Sequence, residues 1–555
     1  MLIDLSQEIA EDPELTGAKA SWLSRGLRAG LPVLPGVVVP ADVSAGAMER
    51  GVEMLEQRGP GGALLTMSIE RMSDDVESAI EEAARRLGDP VVVRSSSVLE
   101  ADGEWSGAFT SYLDIHPEEA PKAVRGCWAS SFTVHTLERY QAAEIEPGSI
   151  PMAVLMQPAL DPEFGGVARL VGDEVTVTGV AGSPAPLVQG WDPGAHGKVS
   201  SSGIAKGDSA IALMGENLLV EVSRILRMAF ESVGANSCEW AAVEGKVTML
   251  QLMAFEERPS VAIEIPPVFC DPAVVALAKL VRRFPGPLGE ELVLPWAVAE
   301  PSYFIREVEP LDLDPLEALL EAQQHSRGLV ADAWQTTKFT STGQAVDMLR
   351  NLRGDDTKRA VLAFSALRVP ELDKAETVLR LLETARQGLA KAGAVASPEL
   401  AWHLTMREAV TILRAGQAEK MKSRIGFDRW EPFDAAAVIA QGAQAQGVAA
   451  APGTAVGRMC FVSDPFDVPH FRPRDVVVGT HPLPNLAALL WDASALITTG
   501  GGPAAHLFES ARSLAIPAVA GIDLEGLLGA NPTSLDREIS IAVDGSQGRI
   551  WTTDW

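Results

Sequence analysis

His506 is the residue whose type and position best suit covalent chemistry. It follows the stretch ALITTGGGPAA, in which a strand is expected to end near Thr499 and three glycines form a turn that side chains would obstruct. Pro503 suits the opening of a helix, which would place His506 in the first turn, where the helix N-terminus favours a bound anion. A neutral imidazole in that position can attack phosphorus and carry a phosphoryl group. Because many histidines near helix starts have no such role, the spacing alone leaves both interpretations open.

The elements that precede this histidine form a mixed N-terminal region over residues 1–260. Val-rich runs bounded by Gly, Pro and Asp predict strands at 91–97, 151–160, 165–171 and 174–182. Residues 209–234 have apolar side chains at helical spacing and stop at a glycine, which predicts one helix. A hairpin with Glu-Gly in its turn is expected over 239–253. This order of elements predicts an α/β or α+β domain.

Three further segments follow this region. Residues 261–440 are predicted to be mostly helical, because several stretches carry apolar residues at 3.6-residue spacing. Residues 441–453, QGAQAQGVAAAPG, are small and uncharged and are predicted to be a flexible linker. Residues 454–555 return to short strands around one helix, which predicts a small β/α domain. We therefore expect a multidomain protein of the α/β and α+β classes.

The composition excludes several classes of protein. The 555 residues carry a formal net charge of −28, so a nucleic-acid binder that neutralises phosphates is not expected. Hydrophobic residues make up 47%, enough for several cores, yet no apolar run reaches the roughly 18 residues that a membrane helix needs. The acidic N-terminus lacks the pattern of a signal peptide, which predicts a cytoplasmic protein. The four separated cysteines indicate neither a zinc site nor disulfides and are expected to be reduced core residues: Cys127, Cys238, Cys270 and Cys460.

Ten positions around His506 have residue types and spacings that together form a specific motif. They are Thr498, Gly501, Gly502, His506, Ala511, Arg512, Ile516, Pro517, Ala518 and Val519. This pattern resembles the signature T-x-x-G-G-x-x-[ST]-H-x-x-x-x-A-R-x-x-x-I-P-A-V of the swivelling phosphohistidine domain of phosphoenolpyruvate synthase and pyruvate phosphate dikinase. The resemblance implies that His506 carries the phosphoryl group. It includes one departure, because Ala504 and Ala505 replace the Thr-Ser or Thr-Cys pair whose hydroxyl would support the phosphate.

The N-terminal region contains neither GxxxxGK[ST] nor GxGxxG after a strand, the common nucleotide fingerprints. Segments 16–40, 91–115, 156–168 and 238–251 instead resemble the ATP-grasp-like domain of the same family. The resemblance implies ATP-binding roles for seven residues: Lys19 as the phosphate-contacting lysine, Arg94 as a phosphate clamp, Gly107 and Ser111 on the loop over the phosphates, Gln157 near the adenine, and Glu239 with Gln251, which would also bind Mg²⁺. Cations, glycine-bearing loops and oxygen ligands suit a magnesium triphosphate. Taken singly, each could instead be a surface charge or the end of a strand.

Two places in this half depart from the family. The family hairpin ends in Q-x-R-P, with the arginine on the phosphates, whereas Met253 stands at that position here and the next Arg-Pro pair is Arg258-Pro259. The loop after Arg94 is also shorter, and Ala101 replaces an aspartate. These departures bear on the efficiency of phosphoryl transfer and not on the fold.

The resemblance covers about 1–260 and 445–555. No segment matches the TIM barrel with which the dikinases bind pyruvate and phosphoenolpyruvate, so interconversion of those two compounds by this chain alone is not expected. The layout is more similar to rifampin phosphotransferase, in which a helical substrate domain lies between the nucleotide and histidine domains. Six side chains of the middle segment could line an acceptor pocket or belong to a core: Trp296, Tyr303, His325, Trp334, Phe339 and Trp402.

These features predict a dikinase-type phosphotransferase. A phosphoryl group would pass from Mg-ATP through His506 to a small-molecule acceptor, with release of AMP and phosphate, while the C-terminal domain moves on its linker. Two alternatives stay open. One is an ATP-dependent ligase or condensing enzyme that activates a carboxylate or carbonyl oxygen through the same phosphohistidine, and the other is a degenerate nucleotide-binding protein without turnover. No nucleic-acid or membrane partner is expected, and a homo-oligomer stays open.

Overall fold

The computed structural model of the chain describes residues 2–255, 438–439, 442–463, 471–535 and 538–554. Residues 2–255 are called the N-terminal domain below. Its strands are β1 Ile3–Asp4, β2 Val37–Val39, β3 Val91–Ser96, β4 Ser111–Ile115, β5 Ala153–Pro158, β6 Phe164–Val171, β7 Glu174–Ala181, β8 Ala195–Val199, β9 Ala205–Lys206, β10 Ser237–Val243 and β11 Lys246–Met253. Its α-helices are α1 Pro13–Arg28, α2 Ala41–Ser68, α3 Asp74–Leu87, α4 Ala120–Ala129, α5 Val134–Ala142, α6 Ala185–Val188, α7 Asp208–Met214 and α8 Glu216–Val233.

The strands of the N-terminal domain form two antiparallel sheets that face each other across a shared core. The first has the strand order β1-β2-β5-β3-β4 and the second β11-β10-β6-β7-β8-β9. On the first sheet, Val91 and Val93 pack against helices α2 to α5, whereas Leu155 packs towards the second sheet and α8. Arg94 pairs with Leu155 across β3 and β5, and paired residues share a face. The Arg94 side chain is therefore turned towards the second sheet.

Helix α1 owes its position to a capped start and a glycine. The Asp12 carboxylate accepts the N–H of Glu14 at 3.0 Å, and proline follows as the first helical residue. Gly17 then interrupts the helix with φ +72°, and a Cβ there would lie 1.9 Å from the carbonyl oxygen of Ser96. Only glycine allows α1 to cross the end of β3 so closely, and this crossing brings Lys19 to the edge of β3.

The four strands predicted between residues 91 and 182 are confirmed as β3, β5, β6 and β7. The single helix predicted over 209–234 is two helices, because Gly215, with φ +79°, separates α7 from α8. The predicted hairpin is confirmed. Its turn consists of Glu244 and Gly245, with φ values of +50° and +73°, and such two-residue turns match the twist of the flanking strands.

The described residues from 442 onwards form the C-terminal domain. Its strands are β12 Ala443–Gln446, β13 Val448–Ala451, β14 Thr454–Val462, β15 Val476–Gly479, β16 Ala495–Thr498, β17 Ala518–Ala520, β18 Ile539–Asp544 and β19 Arg549–Asp554, and its α-helices are α9 His506–Ser513 and α10 Leu524–Leu528. The strand order is β12-β19-β18-β14-β15-β16-β17-β13, in which β14 to β17 are parallel neighbours. Helix α9 contributes Leu507, Phe508 and Ala511 to the core on one face of this sheet. The predicted mixed β/α class is confirmed.

The prediction of a flexible linker over 441–453 does not agree with the structure. Ala443–Gln446 pairs with β19 and Val448–Ala451 pairs with β17, so the two strands occupy opposite ends of the strand order and meet at Gly447. A Cβ at Gly447 would lie 2.5 Å from the carbonyl oxygen of Ala520. Small residues occur here because the sheet curls tightly. Flexible linkers are also rich in small residues, so the composition does not distinguish the two structures.

Several expectations concern residues outside the described part of the chain. The predicted helical segment 261–440 lies outside it apart from Val438 and Ile439, which are helical. The same holds for Cys270, Arg258 and the six candidate pocket residues, Trp296, Tyr303, His325, Trp334, Phe339 and Trp402.

The other three cysteines are free and buried, as expected: Cys127, Cys238 and Cys460. Burial raises the pKa of the Cys238 thiol to about 12 and that of Cys460 to about 11, so neither is a ready nucleophile at neutral pH. Among the helices of the described residues, none combines the length and the apolar character needed to cross a lipid bilayer.

Candidate active site between the N-terminal and C-terminal domains

His506 stands at the start of α9, directly after the glycine turn that follows β16. The sequence predicted that the helix would begin at Pro503, but in the structure it begins at His506. Ala505 occupies the N-cap position without a side-chain cap. The glycines are required because the turn touches the N-terminal domain. A Cβ at Gly502 would lie 2.4 Å from the carbonyl oxygen of Pro193. The histidine is thus presented at a close contact between the backbones of the two domains.

The His506 imidazole lies in a pocket of polar side chains and is 17% exposed. Its Nδ1 atom lies 2.9 Å from Oε2 of Glu509, one helical turn along, and 2.8 Å from Oγ of Ser106 in the N-terminal domain. The Ser106 hydroxyl also donates a hydrogen bond to Glu509. The other ring nitrogen, Nε2, faces Oε1 of Glu239 at 4.0 Å. Gly107 lies against the ring, since a Cβ there would be 3.0 Å from that of His506.

The charges of His506 and Glu509 are coupled. Burial lowers the pKa of His506, but the hydrogen bond and charge of Glu509, together with the charge of Glu239, outweigh it and raise the pKa above its usual range. Burial raises the pKa of Glu509, but the hydrogen bond and charge of His506 outweigh it and lower that pKa. Both shifts favour an ionised pair, which is present above the lowered pKa of Glu509 and is lost as the pH rises through the raised pKa of His506.

Arg94, Glu239 and Gln251 lie together, and Glu239 of this group faces His506. Glu239 and Gln251 are directly paired on β10 and β11. The Arg94 guanidinium crosses from the first sheet, lies 3.0 Å from Oε1 of Gln251 and 3.5 Å from Oε2 of Glu239, and donates to the carbonyl oxygen of Leu250. Glu239 therefore neighbours both the Arg94 cation and Nε2 of His506.

Three other predicted residues, Lys19, Ser111 and Gln157, have other partners. Lys19 is buried in an ion pair with Glu100, whose carboxylate also accepts the N–H of Ser97 at 3.1 Å. Ser111 is exposed on β4 and pairs with Arg94 across the strands, and Gln157 is buried on β5, where its amide donates to the carbonyl oxygen of Leu34 at 3.2 Å. Lys19 therefore already has a carboxylate partner, and Gln157 borders the same inter-sheet space as Arg94.

The contacts that join the two domains are called the docking interface below. They involve Asp102, Gly103, Trp105, Ser106, Gly107, Arg139, Leu187, Gly190 and Pro193 on one side, and Pro482, Pro484, Trp491, Gly502, Ala504, His506, Ser510 and Ser513 on the other. Arg139 is fully buried there, and its guanidinium donates at 2.9 Å to the carbonyl oxygens of both Ser106 and Pro484. Burial lowers the pKa of Arg139 to about 9.

The docking interface explains the alanine at position 504, one of the two that precede the histidine. Ala504 is 5% exposed and packs in an apolar cluster of the N-terminal domain that contains Val167, Val180, Leu187 and Val188. A hydroxyl at position 504 would enter an apolar contact.

Met253, which departs from the family, and Arg512, which matches its signature, both have defined contacts. Met253 is 3% exposed, and its sulfur accepts from the Gln251 amide at 3.2 Å, so this position contributes no cation. Arg512 donates to the carbonyl oxygens of Ala450 at 2.7 Å and Pro503 at 3.1 Å, and it braces the turn before His506.

The prediction from sequence missed Glu100, Ser106 and Glu509. Glu509 lies three residues after His506, the spacing at which helical side chains meet, so this pair could have been found from the sequence. Nothing in the sequence links Ser106 to His506, because the two are 400 residues apart.

Comparison with protein families agrees with the two domains. Residues 13–191 match the model of the pyruvate phosphate dikinase AMP/ATP-binding domain. Residues 471–548 match the mobile domain of PEP-utilising enzymes, which includes His506.

Curated relatives fall in the same group. A phosphoenolpyruvate synthase of Aeropyrum pernix is 24% identical over 98% of this chain and 57% of its own length. A probable phosphoenolpyruvate synthase of Methanothermobacter thermautotrophicus is 23% identical over 62% of this chain and 50% of its own length. The prodigiosin synthesizing transferase PigC of Serratia marcescens is 27% identical over 56% of this chain and 33% of its own length. The chain thus spans between a third and three fifths of the length of these relatives. Both domain matches and these relatives support a similarity to the phosphoenolpyruvate synthase and pyruvate phosphate dikinase family.

Proposed function

We propose that this chain is an ATP-dependent phosphotransferase that uses His506 as a covalent carrier. ATP and water would be converted to AMP and phosphate while one phosphoryl group passes through His506 to a small-molecule acceptor. The observation that carries the proposal is the position of Nε2 of His506, which faces Glu239 at 4.0 Å, while Glu239 lies 3.5 Å from Arg94 and Arg94 contacts Gln251. A nucleophile placed beside a cationic phosphate site is the arrangement that phosphoryl transfer to histidine needs.

The proposed roles follow from charge and reach. Arg94 would turn from Gln251 and Glu239 to the phosphates, where its planar guanidinium can form two parallel hydrogen bonds. Lys19, now paired with Glu100, would provide a second cation, and the backbone around Gly107 and Ser111 would cover the phosphates. Gln157 would border the adenine, which matches its place between the two sheets.

Magnesium fits the donor set at this site. Glu239 and Gln251 present a carboxylate and an amide oxygen side by side on paired strands, and Mg²⁺ prefers oxygen ligands. Bound there, Mg²⁺ would neutralise part of the charge on the phosphates.

The test is the mass of the intact protein after incubation with Mg-ATP. We expect an acid-labile gain of one or two phosphoryl groups that is absent in His506→Ala and present in His481→Ala, a matched histidine of the same domain. Nucleotide analysis should show AMP. If neither the wild-type protein nor His481→Ala gains mass, the chain is a nucleotide-binding protein without turnover.

A condensing reaction is a second candidate, because one relative is named a transferase that synthesises prodigiosin. The same phosphohistidine would then activate an oxygen as a leaving group for a second substrate. A panel of small acceptors separates the two candidates. A stable phosphorylated product supports phosphotransfer, whereas a joined product with free phosphate supports condensation.

A further inference from the structure

Glu509 and Ser106 form a closed set of hydrogen bonds with Nδ1 of His506. The distances from Nδ1 are 2.9 Å to Glu509 and 2.8 Å to Ser106, and the Ser106 hydroxyl donates to Glu509. The signature that surrounds His506 leaves position 509 unspecified, and Ser106 lies on the other domain. This set of three is therefore a feature of this chain beyond the match to its family.

Counting hydrogens fixes the proton on the ring. A serine hydroxyl has one hydrogen, and the Ser106 hydrogen is used on Glu509. An ionised carboxylate has none to donate. The hydrogen between Nδ1 and its two partners must therefore belong to Nδ1, which donates to Glu509 and Ser106. In the neutral ring, the lone pair is then on Nε2, which faces Glu239 at the proposed phosphate site.

We propose that Glu509 and Ser106 are positioning residues that hold the proton on Nδ1, so that Nε2 is the nitrogen that accepts the phosphoryl group. The inference rests on the proposed function. In the step, the Nε2 lone pair forms the N–P bond, and the bond from phosphorus to the departing nucleotide oxygen breaks with its electron pair on that oxygen. The ring keeps its Nδ1 hydrogen and gains positive charge, which the Glu509 carboxylate offsets.

The burial of Glu509 supports this role. Its residue is 0% exposed, and Oε1 has no hydrogen-bond partner among the residues that the structure describes. A buried carboxylate with one unsatisfied oxygen is unfavourable for stability, and an apolar side chain on this buried face of α9 would avoid that cost. A carboxylate at this position is explained by the ring that it contacts.

Ser106 should act in one half-reaction only, whereas Glu509 should act in both. Glu509 is on α9 and travels with His506 wherever the C-terminal domain moves. Ser106 belongs to the N-terminal domain and reaches Nδ1 only while the docking interface is formed. Loss of Ser106 should therefore slow phosphorylation of His506 by ATP and leave transfer from His506 to an acceptor unchanged, whereas loss of the Glu509 charge should slow both.

The ring state can be measured without ATP. In full-length protein with ¹⁵N-labelled histidine, the His506 signals are those missing from His506→Ala. We expect the Nδ1–H tautomer in the neutral ring. An Nε2–H tautomer in the neutral ring of the wild-type protein would overturn the proposal.

Single-turnover phosphorylation by Mg-ATP provides the second measurement. We expect Glu509→Gln and Ser106→Ala to slow it about 10- to 100-fold, the range for loss of a hydrogen bond to a charged group. Ser510→Ala is the matched control, since this interface hydroxyl bonds the carbonyl oxygen of Gly103 at 3.4 Å and does not touch the ring. Equal rates in Ser106→Ala, Glu509→Gln and Ser510→Ala would contradict the roles. If the wild-type protein is not phosphorylated at all, the proposed function fails, while the ring measurement still decides the positioning.

Discussion

Restoring the family residue at position 504 is expected to impair this protein. Threonine is the residue that usually stands two positions before the phosphohistidine, yet Ala504 is 5% exposed and packs against Val167, Val180, Leu187 and Val188. Ala504→Thr places a hydroxyl in this apolar contact. Ala504→Val is the matched control, because valine and threonine have nearly the same shape and differ in the hydroxyl. Any cost of added bulk is shared by both variants.

The expected effect of Ala504→Thr on docking follows from the hydration that the threonine hydroxyl loses when it is buried. Burying a hydroxyl without a partner costs about 1–3 kcal/mol in proteins. Because 1.4 kcal/mol corresponds to a factor of ten, the docking equilibrium of Ala504→Thr should be about 5- to 150-fold less favourable than that of Ala504→Val. The cost falls on docking and not on folding, since the cluster around residue 504 is formed by side chains of the other domain.

Docking can be measured directly by the distance between spin labels at Glu118 and Glu525, which are exposed on the two domains. The short-distance population should fall in the order wild type, Ala504→Val, Ala504→Thr, and single-turnover phosphorylation of His506 should fall in the same order. Thermal unfolding of the variants shows whether both remain folded. A threonine variant that docks as well as the valine variant would refute the reasoning, because the hydroxyl would then have found a partner at this contact.

Three further outcomes are expected. Calorimetry should show ATP binding at least about 10-fold weaker in Lys19→Ala and in Arg94→Ala, since each loses a charge-assisted hydrogen bond worth about 1.5–3 kcal/mol. The control Lys122→Ala, on the exposed side of α4, should bind ATP with unchanged affinity. Equal affinities in all three variants would contradict the assignment. Gly502→Ala should separate the spin labels and slow phosphorylation, because its Cβ would lie 2.4 Å from a carbonyl oxygen of the N-terminal domain, and a normal rate would speak against the docking interface. Limited proteolysis should spare residues 443–451, which are paired strands, and rapid cleavage there in the native protein would contradict the pairing.

Local sequence signals predicted the parts of the fold that local physics determines. The hairpin turn at Glu244-Gly245 follows from backbone angles that glycine readily adopts, and β3 follows from a run of valines. The linker prediction over 441–453 was wrong, because small residues fit a tightly curled sheet as well as a flexible chain.

The candidate site was predictable only where a motif supplied it. Arg94, Glu239 and Gln251, which the motifs singled out, lie together, and Glu239 faces His506. The residues that contact them and influence their ionisation could not be found from a motif. Ser106 reaches His506 across 400 residues, and that contact depends on how two domains pack, which no local periodicity encodes.

Under the proposed function, the charges around His506 would link nucleotide binding to the reactivity of the ring. Two cations, Lys19 and Arg94, contact the carboxylates of Glu100 and Glu239, while Glu509 contacts the ring. These pairs nearly neutralise each other, so a triphosphate can bind only if the cations exchange their carboxylates for phosphate oxygens or a further cation comes with it. Glu239 takes part twice, since it neighbours both Arg94 and Nε2 of His506. Under the proposed function, Arg94 would turn to a phosphate, and Glu239 would then lose its cation and become available to a metal ion. The exchange that binds the nucleotide would thus also clear the approach to Nε2.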